Sequence, residues 1–71
     1  MEGHFMAIFE SNDIAINTNL VAVVGKLKPL PSGGAKFNVL MAGLDSSITF
    51  RFEKAADGTA ERKRLVKLID A

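Results

Sequence analysis

The chain predicts an α+β fold: a small antiparallel β-meander of four to five strands, followed by one C-terminal amphipathic helix packed on one sheet face. Three observations carry this expectation. Residues 47–53 alternate cleanly, with Ile48, Phe50 and Phe52 on one side and Ser47, Thr49, Arg51 and Glu53 on the other. The links between the apolar runs are too short for parallel crossovers, so neighbouring strands must run antiparallel. Leu65, Val66, Leu68 and Ile69 then form one stripe at helical spacing, with Lys63, Arg64 and Lys67 off it.

Taken in order, Phe5 to Glu10 reads as a short strand, and Ser11, Asn12 and Asp13 supply turn chemistry through side chains that bond to nearby backbone amides. Ile14 to Asn17 alternates. Thr18 and Asn19 make either a tight turn or a bulge, so residues 14–27 are one bent strand or two. Leu20 to Leu27 is apolar on both faces and is expected to be the most buried strand. Lys26, Lys28, Pro29 and Pro31 end it with charges and with residues that cannot donate to a ladder. Residues 31–34, Pro-Ser-Gly-Gly, are a loop, Lys36 to Ala42 is a strand, and residues 43–46 turn back. Asp57, Gly58 and Thr59 precede the helix, with Thr59 as its expected N-cap.

A length of 71 residues permits one core only, so residues 1–71 are read as a single domain with the sheet in 6–54 and the helix in 59–70. Met6 opens a second plausible start, and residues 1–5 admit a reading as an expression remnant or a disordered lead. No cysteine is present to staple so small a core. Hydrophobic residues make up 48% of the chain, a high load for a domain with so much surface per residue. One helix covers one sheet face at most. The reverse face carries Leu40 and either Val21, Val23 and Leu27 or Leu20, Ala22 and Val24, so the sheet must either curl into a half-barrel or pair with a second copy of the chain; pairing through Val21, Val23, Leu27 and Leu40 is the expectation. An unidentified protein partner is a further reading.

Catalysis is not expected. The single histidine, His4, lies within the segment 1–5, and the carboxylates Glu10, Asp13, Asp45, Glu53 and Asp57 have the spacing of turn and surface residues. No residue run has a metal's ligand spacing, no cofactor is implied, and the loop at residues 31–34 lacks the lysine-serine/threonine ending of a phosphate loop. A net charge of +1 makes nucleic acid a partner that is not favoured, with Arg51, Arg62, Lys63, Arg64 and Lys67 as its phosphate contacts if it binds. Phe50 and Phe52 share a face with Ile48 and are read as core rather than as a base-stacking platform. No apolar run is long enough for a membrane span, and a cytoplasmic location follows as the default. The expected function is that of a small non-enzymatic binding or interaction protein, working as a homodimer through its sheet. No family's diagnostic residues are present.

Overall fold

The computed structural model describes residues 7–70. His4, Met6 and the remainder of the segment 1–5 lie outside the described residues. A first hairpin joins β1 (Ile8–Ser11) to β2 (Ile14–Asn17), with Ser11 opposite Ile14. Its two-residue turn needs positive φ at both positions, which Asn12 (54°) and Asp13 (61°) adopt, a geometry that matches the twist of the flanking strands. A 3-10 turn, Thr18–Leu20, follows, so residues 14–27 are not one bent strand. The Asn17 side chain accepts the Asn19 amide there, and both the amide and the hydroxyl of buried Thr18 donate to the Ala7 carbonyl at 2.9 Å.

β3 (Val21–Val24) and β4 (Lys28–Pro29) pair with successive parts of one edge of β5 (Ala35–Met41), while β6 (Ile48–Phe52) takes its other edge. The result is an antiparallel sheet centred on β5. Burial along β5 alternates strictly: Ala35, Phe37, Val39 and Met41 are buried, and Lys36, Asn38 and Leu40 are half-buried on the reverse. β5 is therefore the most buried strand. Leu20 to Leu27, expected in that role, holds the sheet's margin instead, because its two-faced apolarity serves an edge position with Ala22 and Val23 open to solvent.

Helix α1 (Ala55–Asp70) lies against the inner face, with Leu65 fully buried and Leu68 packed on the core. It starts four residues before the expected Thr59 cap. Asp57 and Gly58 donate backbone amides to the Lys54 carbonyl, and Thr59 sits inside the helix with its hydroxyl on the Ala55 carbonyl at 3.1 Å. Gly58, read from sequence as a turn residue, is a buried packing contact. A Cβ there would stand 3.1 Å from Leu27 Cδ1 and 3.2 Å from Phe52 Cδ2, so its absence lets the helix close onto the sheet.

The core is built on aromatic rings. Phe9 meets Phe50 edge-on at 5.3 Å, and Phe37 stacks on Phe50 at 5.4 Å and on Phe52 at 5.9 Å. Phe9 and Ile16 deliver the first hairpin into this cluster. Asn12, at the hairpin's tip, accepts the Arg51 backbone amide at 2.8 Å and so caps the outer margin of β6. One sheet margin is thereby closed by the chain itself.

Candidate functional site

The opposite margin is open. β3 pairs only with β5, and among the described residues no strand lies on its other side. Unpaired N–H and C=O groups along such a margin are a template for a further strand, which chains usually blunt with charge or proline. β4 is blunted by Lys28 and Pro29; β3, with the sequence Val-Ala-Val-Val, is not. Val23 is 53% exposed and Leu20, at the mouth of the strand, 52%. The Gly25 carbonyl, just past β3, accepts Arg62 Nε at 2.8 Å, which limits the free margin to β3 itself.

A register shift between Val21 and Val23 decides which side chains share a face. Pairing puts Val21 opposite Met41, Val23 opposite Leu40 and Val24 opposite Val39. Val21 and Val24 therefore turn into the core, whereas Val23 and Leu40 share the outer face. Strict alternation groups Val21, Val23, Leu27 and Leu40 as one association face. The bulge breaks that set: Val21 and Leu27 are core-packed, and only Val23 with half-buried Leu40 remains outside. The outer face is correspondingly less apolar than expected. Beyond Val23 and Leu40 it carries the Asn38–Thr49 pair, joined by a 2.8 Å hydrogen bond, and then Lys28, Lys36 and Arg51.

The five cations expected to act together fall into four separate placements. Arg51 stands on the outer sheet face, across the sheet from the helix. Arg62 is committed to the Gly25 carbonyl. Arg64 donates to Glu61 Oε1 at 2.7 Å and to the Glu10 carbonyl at 2.9 Å, and its guanidinium lies 4.6 Å above the Phe9 ring. It thus ties the helix to the first hairpin. The Glu61 carboxyl is held below its usual range, chiefly by the Arg64 hydrogen bond, and the Arg64 pKa is raised by the same contact. Lys63 and Lys67 alone are exposed on the helix without a partner among the described residues. None of these tertiary roles has a sequence signal, since each depends on a carbonyl or ring brought in from another element.

Between α1 and the β3–β4 segment runs a shallow groove of about 220 Å³, lined by Leu27, Thr59, Arg62, Lys63 and Val66. That is below the ~300 Å³ at which small-molecule pockets usually begin. Gly34 in the loop at 31–34 is explained without a phosphate, because a Cβ there would overlap the Phe52 carbonyl oxygen. Among the described residues no group of three or more His, Cys, Asp or Glu is placed to hold a metal, and no helix is long and apolar enough to cross a membrane. Compared with family models, with curated proteins and with solved structures, the chain matches none.

Proposed function

We propose that this chain is a small non-catalytic interaction module that works as a homodimer, joined through the open margin of β3. The observation that carries the reading is the contrast between the two sheet margins. β6 is capped by Asn12 and β4 is guarded by Lys28 and Pro29, but β3 presents an unguarded apolar strand that carries exposed Val23 and is preceded by exposed Leu20. Such a margin is self-complementary: two copies related by a two-fold axis pair β3 with β3 antiparallel and continue one sheet across both chains. The same axis brings Leu20, Val23 and Leu40 of each copy together on or beside the joint. This is a narrower surface than a whole sheet face, so the association is expected in the micromolar range rather than tighter.

Light scattering over about 5–200 μM tests it, a range chosen to bracket the affinity of a small transient interface. A rise toward twice the chain mass of 7.6 kDa supports the reading. A constant 7.6 kDa across the range removes it.

A further inference from the structure

The register of the sheet places Lys28 directly opposite Lys36, and Lys36 directly opposite Arg51. Three cations thus form one row across β4, β5 and β6, at the ~4.8 Å spacing of neighbouring strands, about 10 Å from end to end. Like charges directly opposite in a sheet are destabilising. Among the described residues none of the three forms an ion pair. The other outer-face residues within β3, β5 and β6 are Val23, Leu40, Asn38 and Thr49; the nearest acid on this side is exposed Glu53, just past β6 and two residues beyond Arg51, and it forms no ion pair with the row. Asn38 accepts the Thr49 hydroxyl through Oδ1, which leaves its amide N–H groups beside the row with no partner among the described residues.

A net charge of +1 hides this placement, because apart from Glu53 the acids that balance it lie away from the row in the chain. From this geometry we infer that the outer sheet face binds the phosphate backbone of a single-stranded nucleic acid, with Lys28, Lys36 and Arg51 each facing one phosphate and Asn38 donating to a phosphate or sugar oxygen. The occupant follows from the shape and chemistry of the row. Among the described residues no helix or ribbon projects from this face to enter a duplex groove, and a single strand has the backbone freedom to lay successive phosphates along a straight 10 Å row, a length on the order of two strand spacings. Phe37, Phe50 and Phe52 are packed among themselves on the inner side, so among the described residues no ring stands on this face for base stacking. Recognition is therefore of the backbone and independent of sequence. The site does not depend on β3 pairing, and stands whether the chain is a monomer or a dimer.

The test is fluorescence anisotropy of a labelled oligothymidylate of about 20 nucleotides, titrated from about 20 to 200 mM salt. Three phosphate contacts on a single strand give a log-log salt slope of about −2, with a dissociation constant on the order of 10–100 μM at the low-salt end. Lys36→Glu is the decisive variant. It replaces the middle of a repulsive row with an opposite charge, so it should weaken binding about 10-fold or more while leaving the melting temperature unchanged or raised. Arg51→Gln should weaken binding in the same direction, and Lys63→Glu with Lys67→Glu on the helix should leave it within about 2-fold. Undetectable binding at low salt would overturn the inference. So would binding that survives Lys36→Glu but is lost with the helix charges, tighter binding to a duplex of equal length, or equal retention on anionic phospholipid vesicles.

Discussion

Replacing Phe50 by alanine tests how the faces of β6 are assigned and how much of the fold rests on one ring. Phe50 is fully buried and touches Phe9 edge-on and Phe37 face-on, so it joins the first hairpin to the central strand. Removing a buried phenyl ring costs about 3–5 kcal/mol, transfer and cavity together. A chain of 71 residues at the usual ~0.05–0.15 kcal/mol per residue holds only about 4–11 kcal/mol in total. Phe50→Ala should therefore remove between about a quarter and all of the stability. Phe50→Leu, which keeps most of the volume but loses both ring contacts, should cost about 1–2 kcal/mol. Urea unfolding followed by circular dichroism measures both, with the midpoint falling and the slope unchanged for the leucine variant. If alanine costs less than about 1 kcal/mol, the side chain is not in the core. The aromatic residues of β6 would then face outward, where a base-stacking surface would again be open to consideration.

Arg64→Met keeps an apolar stem but loses an exposed ion pair, a bond to the Glu10 carbonyl and a cation–π contact, together worth about 1–2 kcal/mol after solvent screening; thermal unfolding should register the drop. The same pair sets a pH dependence: Glu61 has a depressed pKa, so its contribution is complete above the unfolded value of about 4.3 and is lost as pH falls through the folded value. The difference in stability between wild type and Arg64→Met should accordingly shrink below about pH 4. Gly58→Val should destabilise by about 2 kcal/mol or more, since its branches meet Leu27 and Phe52 where a Cβ alone would already be tight; a gain in melting temperature would show that the helix stands off the sheet. Val23→Lys should leave monomer stability within about 0.5 kcal/mol, because Val23 is a half-exposed margin residue and not the sheet centre that its sequence position suggests, yet it should abolish dimerisation.

Wherever one element's own pattern decides the structure, the sequence was sufficient. Alternation places Phe50 inside and Arg51 outside, and the short connections require an antiparallel sheet; the helical stripe places Leu65 and Leu68 on the core but overreaches at Ile69, which is exposed. What stayed hidden depends on relations between elements. The bulge at Ala22 is one extra residue in an otherwise apolar run, and it separates Val21 from Val23 without any local mark. Gly58 carries the same letter in a turn as in a tight helix contact, which is why the helix start was displaced. The partition of the arginines could not be read either, since the Gly25 and Glu10 carbonyls that hold Arg62 and Arg64 lie 37 and 54 residues away. The row Lys28–Lys36–Arg51 exists only through register: no pair in it is closer than eight positions in the chain, and only the pairing of β4, β5 and β6 aligns them.

The open margin of β3 is probed most directly by an isotope-filtered NOE experiment on an equimolar mixture of labelled and unlabelled chain. Pairing of β3 with β3 predicts intermolecular contacts confined to Val21–Val24, their flanking Leu20 and the neighbouring Leu40, all of them lost in Val23→Lys. Intermolecular contacts that instead map to the exposed face of α1, or their complete absence in a sample concentrated well above the micromolar range, would contradict it.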